Sequence, residues 1–457
     1  MLSNSHFVLY QLTESDVSEE YLDTLNDSEY MKYSRNSAFN HTFSSQVQYI
    51  ADFRQSNNLF FGIKKVEDKK LVGTINCYID FSRMTLSLGF LIFRSQQGKG
   101  YASAALEILI PYLETQFPGM RALIGSNQDN LAMHKVAKKF DFQIELQDID
   151  LNLRFYRKFP KIHPASTPFI PDFILNANTI GIAACDAGGA EQITWLLRNI
   201  PQKALAYLDG PAHKIFEDSM VAFDGAEKLN EILDCDLLIT GSGWMSTLEM
   251  DVIKEAKRRE IPCITLLDHW VNYQERFSNR EENQPQILAV TNSISLEMAQ
   301  EKFPNKVVWF LPDFQIEAYR KALNQPEKSS ICVLILLEPL SILTSSFPVN
   351  REIIENLLRS AISIKKTRGL NSIVVRPHPS QSDTHFIFEI LEKFAGEFEL
   401  SKGESLLEDL RNSEVVIGLN SYALYIASQC EIATYSCFAG RVGHWTTNFQ
   451  KIREIDF

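Results

Sequence analysis

The 457-residue sequence predicts an α/β protein made of an N-terminal unit followed by two units of alternating strands and helices. Three observations carry this expectation. The apolar run Leu88-Gly89-Phe90-Leu91-Ile92-Phe93 leads through a glycine-bearing turn, Gln97-Gly98-Lys99-Gly100-Tyr101-Ala102, into the helix-forming run Ser103–Leu109. Pro160, Pro164 and Pro168 then break the composition and mark a linker over 161–178. From 179 onward, short apolar runs alternate twice with helical stretches, the pattern of parallel sheets with crossover helices. The expected domains are therefore 1–160, 179–325 and 326–457.

The elements follow in order. Leu71–Ile79 reads as a strand ending in a turn at Asp80, and Asn130–Phe142 as a helix. Beyond the linker, strands are expected at Thr179–Ala184, Ala204–Leu208, Leu237–Thr240, Cys263–Leu267 and Ile287–Val290. A tight turn, Cys185–Ala190, precedes a helix over Glu191–Arg198, and another helix covers Thr247–Arg258. The last unit has expected strands at Cys332–Leu337, Ser372–Val375 and Val415–Ile417, and helices at Arg351–Thr367 and Phe386–Phe394.

Composition bounds the function. Apolar content of 45% and charged content of 22% suit a soluble globular protein. A net charge of −12 argues against nucleic acid as the main partner, since phosphate binding needs a basic face. The polar start Met1–His6 lacks the basic, apolar signature of a secretory signal. The strongest apolar run, Ile331–Leu337, is too short for a transmembrane segment. The seven cysteines are scattered, as expected of reduced thiols in a cytoplasmic protein, and no ligand pattern suggests a metal.

A helix N-terminus with unpaired N–H groups, opened by glycines that let a phosphate approach, can hold a pyrophosphate. The Gln-x-x-Gly-x-Ala spacing of Gln97–Ala102, with the segment Asn130-Leu131-Ala132-Met133-His134 through Phe142, resembles the acetyl-coenzyme A loop and Asn-led helix of the GNAT N-acetyltransferases. The resemblance implies a mixed sheet flanked by helices and acetyl-CoA as cofactor. A strand through Ile92 would splay from its neighbour to meet the pantetheine amides. Gln97, Gly98, Lys99, Gly100, Tyr101 and Ala102 would take the pyrophosphate, and Asn130 would sit beside the pantetheine arm, though Asn130 also reads as a helix N-cap. Two departures stand out. Asp141 replaces the glycine that usually closes the helix, and Ala137 stands where many members carry a tyrosine acid. His134 and Tyr101 are then candidates for the acid, and His41 and Asp80 for the base, each also readable as an ordinary surface, packing or turn residue. The stretch Tyr33-Ser34-Arg35-Asn36, His41-Thr42 and Gln46–Ile50 resembles GNATs of bacterial amino-sugar pathways, which implies the 4-amino group of a nucleotide-linked sugar as acceptor. Similar stretches occur in relatives that acetylate protein N-termini.

The C-terminal two units resemble the GT-B architecture, a pair of Rossmann-like lobes known from glycosyltransferases and UDP-sugar 2-epimerases. Candidate substrate-binding residues lie at strand ends: Gly188 and Gly189, Ser242 in Thr240–Thr247, and the segment Asp268-His269-Trp270-Val271-Asn272-Tyr273-Gln274-Glu275-Arg276. Asp268 reads as a base or as the group that orients His269. Trp270 and Tyr273 read as stacking residues and Arg276 as a substrate-binding cation. Arg376-Pro377-His378-Pro379 resembles the Arg-x-His-Pro motif of enzymes that build bacterial surface polysaccharides, with Ser421 as the accompanying serine and Glu338-Pro339 as the nearest acidic element. The implied protein is a bifunctional enzyme acting on an amino sugar and a nucleotide-activated sugar, with glycosyl transfer favoured. A nucleotide-sugar epimerase or hydrolase, or a protein N-acetyltransferase with a GT-B-like binding module, are the alternatives.

Overall fold

The computed structural model describes residues 2–34, 39–56, 58–81, 83–147, 152–160, 168–243, 246–270, 272–324, 332–337, 351–378, 385–394, 396–402, 405–419, 421–436 and 452–454. Arg35, Asn36, Val271, Ile331, Glu338, Pro339 and Pro379, named above, with 244–245 of Thr240–Thr247 and 161–167 of the expected linker, lie outside them.

The N-terminal sheet has eight strands: β1 (Leu2–Ser3), β2 (Phe7–Gln11), β3 (Leu59–Lys65), β4 (Leu71–Asp80), β5 (Thr85–Ile92), β6 (Arg121–Asn127), β7 (Gln143–Gln147) and β8 (Asn152–Lys158). They are ordered β1-β2-β3-β4-β5-β6-β8-β7. All pairings are antiparallel except β5 with β6. That single parallel pair needs a crossover, which α3 (Tyr101–Gln116) supplies. Its buried residues Ala105, Leu106, Leu109, Ile110 and Leu113 recur at helical spacing and form one stripe. Helices α1 (Glu19–Asn26) and α2 (Phe43–Gln55) bury Tyr21, Leu25, Ile50 and Phe53 with Phe60 of β3 and Phe93. Helix α4 (Leu131–Lys139) follows β6.

The part of the expected linker that is described is a packed strap. Its short helix, α5 (Asp172–Asn176), places Phe173 between Phe81, 4.7 Å away, and Trp309, 5.9 Å away, measured between ring centroids. Asp172 accepts a 2.9 Å hydrogen bond from the Tyr112 hydroxyl and donates its backbone N–H to Gln116.

Two parallel sheets follow. The first has seven strands, β9 (Ile180–Ala184), β10 (Ala204–Leu208), β11 (Phe223–Gly225), β12 (Leu237–Thr240), β13 (Cys263–Leu266), β14 (Ile287–Val290) and β15 (Val307–Phe310), ordered β11-β10-β9-β12-β13-β14-β15. The four-residue strands β12, β13 and β14 are buried throughout, as strands covered on both faces must be. The second has six, β16 (Cys332–Leu336), β17 (Ser372–Arg376), β18 (Glu399–Leu400), β19 (Ser413–Gly418), β20 (Ala433–Ser436) and β21 (Ile452–Glu454), ordered β18-β17-β16-β19-β20-β21. Both orders run outward from the first strand and then reverse, which puts a switch point beside β9 and beside β16.

The chain forms two compact units. One comprises Met1–Cys185, Ile200–Asp209 and Val221–Pro312, the other Asp186–Asn199, Gly210–Met220 and Asp313–Phe457. The first holds the mixed sheet and the first parallel sheet. In the second, the β16–β21 sheet packs Val333, Ile335, Ile373, Val375 and Ile417 against Ile354, Leu357 and Leu358 of the helix Arg351–Arg368. There, the expected turn Cys185–Ala190 is shorter than its glycines suggested. The Asp186 side chain accepts from Gly189 N–H at 2.9 Å, so the helix α6 (Ala187–Leu197) begins before Gly188.

Candidate active site

Strands β5 and β6 pair from Thr85 and Arg121 to Leu88 and Ile124. Beyond that point β5 continues on β4 through Ile92, and β6 continues on β8 through Asn127. The only parallel pair of the sheet thus parts midway and leaves backbone groups of Gly89–Ile92 facing a gap. The gap opens into a cleft of about 2060 Å³. Gln97, Gly98, Gly100, Tyr101 and Ala102 line one end of it, and Asn130, Met133 and Val136 line its side.

The turn is shaped for an anion. Gly98 and Gly100 have φ of 72° and 80°, a left-handed conformation that favours glycine. A Cβ at either would meet no protein atom within 4 Å, so the space above both is open. Gly100 is the N-cap of α3, whose first-turn N–H groups have no intrahelical acceptors. Open turn, helix dipole and parted strands together fit the pyrophosphate and pantetheine of coenzyme A. Lys99 turns away, its Nζ donating to Ser95 O at 3.0 Å and Gln96 Oε1 at 3.2 Å. The Ile92 carbonyl accepts from the Tyr30 hydroxyl. Asn130 caps α4, its Oδ1 accepting from Met133 N–H at 3.2 Å, and it also lines the cleft.

On the acceptor side, the Tyr21 hydroxyl donates to Gln46 Oε1 at 3.2 Å, and Gln46 Nε2 lies 3.0 Å from His41 Nδ1. With its oxygen committed to Tyr21, Gln46 presents N–H to the imidazole, so Nδ1 accepts and the ring proton sits on Nε2. Rotating the Gln46 amide by a half-turn reverses both bonds and leaves Nε2 of His41 as the acceptor. A second group was not legible in the sequence. The Tyr49 and Tyr78 hydroxyls are 2.7 Å apart, and Asn76 Nδ2 donates to Tyr49 at 3.2 Å. Burial, then Tyr78, pushes the Tyr49 hydroxyl well above its ordinary pKa, so it works as a neutral hydrogen-bonding group. A Cβ on Gly89 would lie 2.3 Å from Asn76 Oδ1, so the amide occupies the place of a side chain where the strands part. Gly89 inside an apolar strand was the available signal for that close approach.

The acid candidates fare differently. Ala137 is fully buried. His134 Nε2 lies 3.0 Å from the Asn127 carbonyl and its ring packs 5.2 Å from Phe155, off the cleft lining, so it secures the end of β6. Tyr101 sets its ring edge-on to Phe7 at 5.3 Å. Asp80 accepts from Arg83 N–H at 2.9 Å and pairs with its guanidinium, the turn arrangement.

At the carboxyl end of the first parallel sheet, several expectations are corrected. Trp270, Tyr273 and Arg276 are only 3%, 4% and 6% exposed. Trp270 stacks on His269 at 4.3 Å, and Tyr273 reaches the Ser295 carbonyl and packs against Phe303, so neither aromatic offers a face to a ligand. Arg276 Nη1 meets Asp268 Oδ1 at 2.5 Å, Ser242 Oγ at 2.7 Å and the Ser242 carbonyl at 3.1 Å. Ser242 also donates to Asp268 at 3.2 Å. Burial would raise the Asp268 carboxyl, but the adjacent Arg276 outweighs it and holds it below the usual carboxylate range. Asp268 is therefore a fixed counterion, a weak base that can still orient His269.

In the second unit, Arg376 Nη1 pairs with Asp409 at 2.5 Å, and Asp409 also accepts from Ser401. Burial pushes the His378 imidazole down to about 4, so it is neutral near pH 7. Ser421 is the N-cap of Tyr422–Gln429, accepting from Leu424 N–H at 3.2 Å. In α6, Gly189 is buried with its N–H committed to Asp186, and Gly188 is exposed.

Residues 6–143 match the Acetyltransferase (GNAT) domain family, so the chain carries a GNAT acetyltransferase domain at its N-terminus. Comparison with curated proteins gives no match. Among solved structures, the chain is similar to the Microcin C7 self immunity acetyltransferase MccE in complex with acetyl-CoA and AMP, at 21% identity over 34% of this chain and 93% of that one, TM-score 0.30. It is similar to spermidine N-acetyltransferase from Vibrio cholerae in complex with CoA and spermine, at 15% identity over 34% and 97%, TM-score 0.31. A GNAT-family acetyltransferase from Bacillus anthracis has 19% identity over 35% and 98%, TM-score 0.31.

Proposed function

We propose that the N-terminal domain transfers an acetyl group from acetyl-CoA to the amine of a nucleotide-linked amino sugar. The observation that carries acetyl transfer is the parted β5–β6 pair joined to the open turn at Gly98 and Gly100. Acetyl-CoA, when bound, supplies an acetyl group activated as a thioester. The chain's own groups do the rest. First-turn N–H groups of α3 and the turn N–H groups hold the anionic end. The exposed edge of Gly89–Ile92 holds the amide-bearing arm. Asn76 and Tyr49, at the point of parting, orient the incoming amine within reach of that edge. His41, in the tautomer with Nδ1–H donated to Gln46, takes the amine's proton at Nε2. With Ala137 in place of a tyrosine, α4 brings no tyrosine acid to the cleft.

The amino-sugar acceptor is supported by the place of His41 and Gln46 in the cleft, from the stretch that resembles amino-sugar GNATs. For the rest of the chain we propose a GT-B-like pair acting on a nucleotide-activated sugar, with transfer favoured over epimerisation or hydrolysis. Its support is the repeated strand order of the two parallel sheets. His378 and Ser421 would then face the donor phosphate, and Arg376 would brace that loop through Asp409.

The test of the acceptor is coenzyme A release with a UDP-4-amino-4,6-dideoxyhexosamine and, separately, with a peptide amine. Release with the sugar alone is expected. Release with the peptide alone overturns the sugar reading and favours protein acetylation. For the C-terminal region, CMP, UDP and GDP are compared by thermal shift, because a ligand of the native state raises its melting temperature. No shift with any nucleotide overturns the donor reading.

A further inference from the structure

One row of residues crosses the open face of the N-terminal sheet at the point where β5 and β6 part. Strand register sets it. Asn76 pairs with Gly89, and Gly125 pairs with Arg154. Gly89 and Gly125 each stand one step beyond the last β5–β6 pair, Leu88 with Ile124, so they are level with one another. The neighbours of these four along their strands, Ile75, Cys77, Leu88, Ile124 and Phe155, are buried, and successive strand residues point to opposite faces. Asn76, Gly89, Gly125 and Arg154 therefore share the other face, and all four line the cleft.

The row changes character along its length. Over Gly89, the Asn76 amide fills the place of the missing side chain. Over Gly125, which is exposed, a Cβ would meet no protein atom within 4 Å, so the floor there is bare. At the far end stands Arg154, two strand spacings from Gly89, or about 10 Å between Cα atoms. Among the described residues, four arginines line the cleft. Arg83 pairs with Asp80, Arg94 with Asp27 and Arg121 with Glu145. Arg154 is exposed and makes no hydrogen bond or ion pair among the described residues, so its guanidinium is available to an anion.

An amide, then a bare glycine floor, then a guanidinium fit a ligand that presents an amine, a ring and an anion in that order. We infer that Arg154 is a specificity-determining residue of the acetyltransferase. It receives the phosphate on the anomeric carbon of a nucleotide-linked amino sugar whose ring lies over Gly125 and whose amine meets Asn76. The inference rests on the amino-sugar reading above and adds to it where the acceptor's phosphate is held.

Because Arg154 is exposed, Arg154→Gln in the full chain should leave the melting temperature unchanged. It should raise the KM for a UDP-linked 4-amino sugar about tenfold, the loss of one charged hydrogen bond. The kcat, the KM for acetyl-CoA and the KM for the same amino sugar without phosphate or nucleotide should not change. An unchanged KM for the UDP-linked sugar, or an equal rise for the free sugar, overturns the inference. UDP alone should inhibit acetyl transfer competitively against the sugar, and inhibit the variant about tenfold more weakly. Equal inhibition of both also overturns it. Gly125→Val builds a side chain into the bare floor and should lower kcat/KM for both forms of the sugar. An unchanged kcat/KM would put the ring elsewhere and overturn the arrangement. If only a peptide amine is acetylated, the acceptor reading fails by itself, and the phosphate assignment falls with it.

Discussion

The cleft between β5 and β6 and the segment after β13 are both rich in hydroxyl, imidazole and guanidinium groups, and they differ in where those groups point. In the cleft, backbone edges and glycines face open space, and the side chains that line it are linked in short relays such as Tyr21–Gln46–His41. After β13, the charged pair turns inward. Arg276 is consumed by Asp268 and Ser242, and Trp270 and Tyr273 cover the core. A site needs groups whose strongest partners are missing until a ligand arrives. A charge cluster whose members satisfy one another anchors the fold instead.

This contrast can be broken most forcefully at Arg276. Arg276→Ala leaves Asp268 buried without its counterion and should cost about 3–5 kcal/mol of stability in denaturant unfolding. A loss below about 1 kcal/mol would show that the segment is open and available for substrate. The opposite outcome is expected in the cleft. Gly100→Trp fills the anion path and should weaken acetyl-CoA binding more than about a hundredfold, or 2.7 kcal/mol, by calorimetry, with folding retained by circular dichroism. Unchanged affinity would remove the turn from the site.

The next effect tests whether the buried character extends to the second unit. A neutral His378 favours the folded state above its ordinary value of 6.5, and that stability is lost as pH falls through 6.5 toward about 4, where the folded protein also takes up the proton. The loss should be on the order of 2 kcal/mol. His378→Asn should flatten the dependence of urea unfolding between pH 7 and pH 5. An equally steep variant would mean that another group carries the dependence. The smallest effect sharpens the cleft. Gln46→Glu places a carboxylate against Nδ1, which favours the charged imidazolium. If His41 is the base, the acidic limb of kcat/KM moves up by about one pH unit. A profile that stays in place assigns the proton transfer elsewhere.

The legible parts of the molecule were those set by local chain chemistry. Gly98 and Gly100 announced a turn before a helix, and buried strands such as Leu237–Thr240 and Ile287–Val290 were visible as short apolar runs. Asp186 shortened the turn at Gly188 because its carboxylate caps the helix early. What could not be read depends on distant partners. Gln46 becomes part of the site only through Tyr21, and Asn76 only through Gly89 on the next strand. Trp270 and Tyr273 carried the composition of a sugar platform, but burial is decided by the sheet beneath them and by Phe303, which no short segment encodes. The strap was hidden for the same reason: Phe173 sits among prolines, and its partners are Phe81 and Trp309.

That strap bears on how the chain can be divided. A fragment ending at the proline-rich stretch would keep Phe81 and lose the ring that roofs it, and one starting beyond Phe173 would uncover Trp309. Each cut exposes a large aromatic surface, about 1.5–3 kcal/mol for a side chain of this size, and invites self-association. The acetyltransferase module is therefore best produced with its neighbour attached, and a truncation that behaves poorly in solution would reflect the missing roof rather than an unstable catalytic fold.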